Sequence, residues 1–252
     1  MNDSSPLSPE VSPLEPLPQR ERYPFWGYQD LVILLGLTLP VLAVSALIVT
    51  AVSQLLPAQK SSPAVGVLGA QFLAYILWFL CLWALIRFRY HKPFWFSLAW
   101  VTPRRSLLLY AVCGPLLALA VGFAGALLQT PEIEMPMMDL LRDRLSITLV
   151  GIFAVTLGPL AEELVFRGFV LPLLTRSFGP AIAVLLTSGV FALLHGPQYA
   201  WSWRHVLLVG LASVTFCLVR LRSGSTLSAT AMHATYNLTF FIAYLAQGDF
   251  PV

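Results

Sequence analysis

Two uninterrupted apolar runs, Leu31–Val52 and Ala64–Ile86, contain no charged residue at all. Each is longer than the ~20 residues a helix needs to cross ~30 Å of hydrocarbon. Only helices and closed barrels satisfy their backbone hydrogen bonds in lipid, and continuous rather than alternating apolar runs select helices. The wider composition agrees: 58% of the 252 residues are hydrophobic and 11% charged, too little charge to cover a soluble surface. The expected fold class is all-α, a polytopic transmembrane helical bundle of about seven to eight spans.

Spans are expected near 31–52, 64–86, 107–128, 147–176, 180–196, 205–221 and 225–246. Pro40, Pro115 and Pro159 fall inside three of them, where neighbouring helices can satisfy freed carbonyls and local kinks follow. Residues 1–22 are rich in Pro, Ser and charge and read as a disordered cytoplasmic tail. Residues 23–252 read as a single membrane domain. Tyr23, Phe25, Trp26 and Tyr28 make an aromatic cluster at the first membrane entrance. The charged stretch 130–146 reads as a loop with a short interfacial helix.

Arg87, Arg89, Lys92, Arg104 and Arg105 share one short loop without an acid, which places that loop in the cytoplasm. Alternation then puts the N-terminus, Arg176, Arg220 and Arg222 on the same side, with Arg220 and Arg222 as ordinary interfacial anchors. The absence of a targeting segment fits a bacterial inner membrane. Cys81, Cys113 and Cys217 are isolated in apolar runs and suggest small buried hydrophobes, not a disulfide framework. No phosphate-cradling loop or basic nucleic-acid arm occurs, so nucleic acid is excluded as a partner.

An ionisable group inside a span is costly and implies function. Three such places stand in order in the second half: Glu162-Glu163-Leu-Val-Phe-Arg167, Phe191-Ala-Leu-Leu-His195 and His233-Ala-Thr-Tyr-Asn237. Glu163 and Arg167 are four residues apart and share a helix face, as an ion pair requires. Glu162 is turned about 100° from Glu163 and faces another neighbour. If the helices on either side of Phe178–Gly179 form a hairpin, Glu162 and His195 both lie ~25 Å along their helices from the turn. The three polar places thus reach a similar depth.

Chemically they suit hydrolysis. A carboxylate in an apolar site is a general base for water, a histidine can hold that water, and a second histidine with an asparagine can serve an oxyanion. Zinc on Glu162, His195 and His233 is the alternative, a three-ligand set with an open position. It has no H-E-x-x-H to support it. Phe191 reads as packing support. A transporter with a proton relay is the weakest alternative, since the polar groups all fall in one half and no repeat is evident.

E-E-x-x-x-R, F-x-x-x-H and H-x-x-x-N in this order on successive helices resemble the CAAX prenyl endopeptidase and bacteriocin-processing (CPBP, Abi) family, over roughly residues 145–245. The resemblance implies an intramembrane endopeptidase whose water is activated by Glu162 and His195. By position, His233 and Asn237 would support the oxyanion, while Glu163 and Arg167 would be structural partners. It implies a peptide or protein substrate, in some members lipidated, held in the bilayer, and a glutamate-and-histidine arrangement that can work without metal. Some members are linked to bacteriocin immunity, so a non-enzymatic binding or immunity protein with the same helices is the second reading.

Overall fold

The computed structural model describes residues 22–55, 63–133 and 143–247, and all regular structure among them is helical. The expected tail, except for Arg22, and residues 134–142 of the expected interfacial segment lie outside the described residues.

The first apolar run is two helices, α1 (Tyr28–Gly36) and α2 (Thr38–Leu55), separated by the single residue Leu37. Pro40 offers no N–H to the carbonyl of Gly36, four residues back, so the ladder is interrupted there. After α3 (Pro63–Ala84) the chain widens into a π-helical turn, Leu85–Arg89, and crosses a short helix, α4 (Phe94–Ser97). Next come α5 (Leu107–Leu127) and α6 (Arg144–Ile152). Asp143 caps α6, accepting from Ser146 N at 3.0 Å and from its hydroxyl at 2.7 Å.

From α6 the chain passes through a wide turn, Phe153–Leu157, into α7 (Gly158–Glu163), then a second wide turn, Leu164–Val170, into α8 (Leu171–Leu194). α8 is broken at Gly179, where φ is 80°, a backbone that glycine adopts without a Cβ clash, and Pro180 follows. A single 3-10 turn, Gly196–Tyr199, leads to α9 (Trp203–Ser223), which ends at Gly224 in the left-handed region. α10 (Thr226–Ala246) completes the bundle.

Among the described residues five helical stretches are long and apolar enough to cross a membrane: Tyr28–Gln54, Gly66–Arg89, Leu107–Leu127, Arg144–Leu194 and Trp203–Ser223. The expected fifth span is thus the second arm of the 51-residue Arg144–Leu194 stretch, beyond the Gly179 break. α10, expected as the last span, is not among the five. Its sequence intersperses Thr226, Ser228, Thr230, His233, Thr235, Asn237 and Thr239 with apolar residues, and the hydroxyls of Thr226, Thr230, Thr235 and Thr239 bond to carbonyls within the protein. The exterior is apolar: Leu39, Leu47, Leu119, Phe123, Leu127 and Leu185 are each more than 65% exposed. Such a surface belongs against lipid tails.

Basic residues gather at one end. Arg89 at the end of α3 pairs with buried Asp30 of α1 at 3.0 Å. Tyr90 and the N–H of Gly27 also donate to Asp30, at 2.5 and 2.8 Å. Tyr23 reaches the carbonyl of Ser97, while Ser225 and Thr226 donate to the carbonyls of Val101 and Leu98. Arg220 corrects the expectation of an ordinary surface anchor. It is only 7% exposed and donates to Thr226 Oγ1 at 3.0 Å and to the Tyr23 hydroxyl at 3.3 Å.

α5 and α10 touch backbone to side chain at Gly114. A Cβ there would stand 2.0 Å from Thr235 Oγ1 and 2.5 Å from the Met232 carbonyl oxygen. Gly114→Ala gains ~1 kcal/mol of helix propensity. It must also push two helices apart, and overpacking of this kind costs ~1–3 kcal/mol. A lower unfolding midpoint in detergent is expected, and a raised one would rule out so close a crossing.

Candidate active site

Two wide turns shape the site, and each frees a backbone carbonyl. In the first, Gly158 N–H bonds to the carbonyl of Phe153, five residues back instead of four. The carbonyl of Ala154 therefore loses its α-helical donor. The donor that would replace it in the wider register is residue 159, a proline without an N–H. Asn237 of α10 fills the gap, Nδ2 donating to the Ala154 oxygen at 2.8 Å. In the second, Leu171 N–H bonds to the Phe166 carbonyl, so the carbonyl of Arg167 loses its α-helical donor and meets Pro172 in the wider register; within the same turn the Trp26 indole donates to the Phe169 carbonyl at 3.0 Å. Turns of this type recur at functional sites because they re-aim side chains without ending the helix.

Between the turns, α7 presents its two glutamates to different surroundings. Glu163 is fully buried. Its Oε1 accepts from Arg167 Nη1 at 2.8 Å and pairs with His233 Nδ1 at 2.9 Å. Arg167, also fully buried, donates from Nη2 to the carbonyl and hydroxyl oxygens of Ser213 on α9, at 3.0 and 2.6 Å. Its guanidinium lies 4.7 Å from the ring centre of Phe191 and 5.3 Å from that of Phe216, distances at which an aromatic face attracts a cation. The network joins α7, the second wide turn, α9 and α10.

Glu162 stands at the edge of this network, its side chain 20% exposed. The Tyr75 hydroxyl of α3 donates to its Oε1 at 3.5 Å, and His233 Nε2 stands 3.9 Å from its Oε2. His233 therefore spans the two carboxylates, one ring nitrogen on each side, while its ring stacks on Phe216 with centroids 4.6 Å apart.

His195 closes α8, with Nδ1 2.8 Å from the carbonyl of Phe191. A carbonyl only accepts, so Nδ1 carries the proton and Nε2 of the neutral ring keeps a lone pair. The ring packs on Phe191 at 4.4 Å, and Phe191 lies 6.1 Å from the His233 ring.

The structure thus gathers Glu162, Glu163, Arg167 and His233 in direct contact. His195 joins them through Phe191, with no hydrogen bond to Glu162, and Asn237 is held by Ala154. Among the described residues no group of three His, Cys, Asp or Glu side chains is placed to hold a metal ion.

Comparison with known proteins bears on the same stretch. Residues 144–239 match the family model described as Type II CAAX prenyl endopeptidase Rce1-like. This segment is Rce1-like. No curated protein and no solved structure gives a match. The Rce1-like segment begins at the start of α6 and ends two residues past Asn237, so it contains all three polar motifs. The match supports a CAAX-endopeptidase type of protease for this segment, set among helices apolar enough to lie in a bilayer.

Sequence reasoning missed Tyr75, Ser213 and Phe216. Tyr75 lies in an apolar run where a tyrosine carries no special signal. Phe216 and Ser213 become visible only once α9 is packed against the Rce1-like helices α7 and α10.

The two glutamates should respond differently to neutralisation. Glu163→Gln leaves the buried Arg167 without its anion and should cost about 3–5 kcal/mol of stability. Glu162→Gln, with only a long hydrogen bond and a partly exposed side chain, should cost less than ~1 kcal/mol. Unfolding midpoints of the two variants in detergent test this. Equal losses would remove the distinction between the carboxylates.

Proposed function

We propose that the chain is an intramembrane endopeptidase that hydrolyses a peptide bond with water activated by Glu162 and His195, in a CAAX-type processing step on a membrane-associated or lipidated protein. The observation that carries this is the division of labour between adjacent carboxylates: Glu163 is occupied by Arg167 and His233, while Glu162 is left beside Tyr75 and the far nitrogen of His233.

Glu162 takes a proton from water as the hydroxide attacks the carbonyl carbon of the scissile bond. His195 Nε2, unprotonated because Nδ1 donates to Phe191, accepts from the same water and orients it. The tetrahedral intermediate places its negative charge toward His233 and Asn237. In its imidazolium form His233 donates from both nitrogens, one to Glu163 and one to the oxyanion. Asn237 Nδ2 keeps a second hydrogen after bonding Ala154. Glu162 then returns its proton to the departing amine as the C–N bond breaks. Glu163 and Arg167 support the site by holding His233, and Phe191 by packing between Arg167 and His195. No metal enters this scheme, so chelator-treated protein should keep its full turnover.

The clustering of Arg89, Arg176 and Arg220 with the N-terminal segment at one end supports a cytoplasmic N-terminus. A bacterial inner membrane is the setting we assign, and residues 23–252 are read as one membrane domain.

The decisive comparison is between wild type and Glu162→Gln, expressed at matched levels, with new protein termini in the membrane fraction identified by mass spectrometry. Termini present only with the wild type are expected and would name the substrate. Identical profiles in a host that supplies the substrate would favour a binding or immunity protein that retains the fold. Asn237→Ala should slow turnover ~100-fold if it serves the oxyanion. Unchanged turnover would confine Asn237 to its bond with Ala154.

A further inference from the structure

A cavity of about 210 Å³ opens where the first arm of α8 meets the end of α9 and the N-terminal segment. That is several times the ~30 Å³ share of one water molecule. Its polar lining is Tyr23, Thr175, Arg176 and Arg220, and among the described residues no Asp or Glu lines it. Arg220 is 93% buried, yet its partners are the neutral hydroxyls of Thr226 and Tyr23. Burial raises the Tyr23 phenol above its usual range against the pull of Arg220, so it stays a neutral group. Arg176 donates from Nη1 to the Pro24 carbonyl, also uncharged. Thr175 Oγ1 is shielded from solvent and has no hydrogen-bond partner.

A buried guanidinium normally has an anion beside it, because desolvation without a counter-charge is heavily unfavourable. Arg167 in the candidate active site has Glu163. Among the described residues neither Arg220 nor Arg176 forms an ion pair with any carboxylate. Two guanidinium groups around one cavity supply the donors that a tetrahedral phosphate oxygen set accepts. The place in the fold adds a source. The cavity is at the basic end of the bundle, and the adjoining surface of α8 exposes Phe178, Ile182 and Leu185, an apolar strip on which acyl chains can lie. Basic pockets between helices at this level take anionic headgroups.

We infer that the Arg176–Arg220 cavity binds the phosphate of an anionic phospholipid headgroup. The site is separate from Glu162 and His195 and does not depend on the protease reading. It fixes the N-terminal segment, α8 and α9 against one another through a bound lipid.

Purified full-length protein in detergent would be titrated with dioleoylphosphatidylglycerol, with dioleoylphosphatidylcholine and with inorganic phosphate. Bound lipid is read by native mass spectrometry and unfolding midpoint by thermal scan. Wild type should retain phosphatidylglycerol over phosphatidylcholine and gain stability from it. Arg176→Gln and Arg176→Ala, at a side chain that is not fully buried, should bind it on the order of fivefold more weakly, the factor that ~1 kcal/mol per arginine gives. Arg220→Gln should bind more weakly still, and the two milder variants decide the matter if it fails to fold. Displacement of the lipid by millimolar phosphate would assign the same phosphate chemistry to a soluble anion. Equal retention of both lipids by wild type and by the folded variants, with no effect of phosphate, would overturn the proposal.

Discussion

The carboxylate of Glu163, held between Arg167 and His233 with no exposure to solvent, is the contact on which the rest of the polar interior depends. Charges so deeply buried are tolerated only where geometry and hydrogen bonding compensate the loss of water. That requirement reaches outward along the chain. Arg167 needs acceptors beyond Glu163, which fixes Ser213 and hence α9; Glu163 needs a second donor, which fixes His233 and hence α10. The faces of Phe191 and Phe216 cover the guanidinium where no oxygen reaches. Even so, Glu163 Oε2 and Arg167 Nε have no hydrogen-bond partner. The pair is therefore better understood as fixing where helices meet than as a source of net stability.

Backbone chemistry imposes a second constraint in the same region. Gly158-Pro159 and Pro172 remove or redirect helical donors, and the chain answers with two wide turns instead of a break. The first recruits a distant side chain, Asn237 from α10, and Trp26 from the N-terminal segment bonds to a carbonyl within the second. Trp26 also stacks on Phe169 at 5.1 Å and centres a core cluster with Leu34, Leu82, Ile86 and Leu164. Trp26 thus anchors the first helices to the motif-bearing helices at the second wide turn. Asn237 consequently has a structural bond in addition to any chemical one.

Much of this was legible in the sequence for physical reasons. Charge-free runs identify apolar helices because lipid leaves no other way to satisfy a backbone, and Phe178-Gly179-Pro180 marks a turn because it combines a residue free to take positive φ with one that cannot donate. Glu163 and Arg167 show their pairing in their spacing. Other features were hidden. The wide turns depend on which carbonyls find outside partners, and no single-residue signal reports that. Arg220 looked like its neighbour Arg222 because burial is decided by the loop around Ser97–Val101 folding over the end of α9. The threonine hydroxyls of α10 bond to carbonyls within the protein, and position in the sequence does not tell such hydroxyls from solvent-facing ones.

The adjacency of Glu162 and Glu163 is the step that links fold to chemistry. Two carboxylates one residue apart on a regular helix point about 100° apart, so one can be sealed in the protein while the other meets a cavity edge. Glu163 is sealed and charge-balanced; Glu162 keeps partial exposure, a tyrosine hydroxyl and a histidine at a distance that leaves room for a reacting group. Placing identical groups in contrasting environments is how a protein assigns different acid–base roles without changing residue type. Here the contrast is set by Arg167, which lies one turn beyond Glu163 and not beyond Glu162. An arginine one position earlier would lie on another face of the helix, away from both Glu163 and Ser213, which is why the spacing E-E-x-x-x-R carries more information than the charges alone.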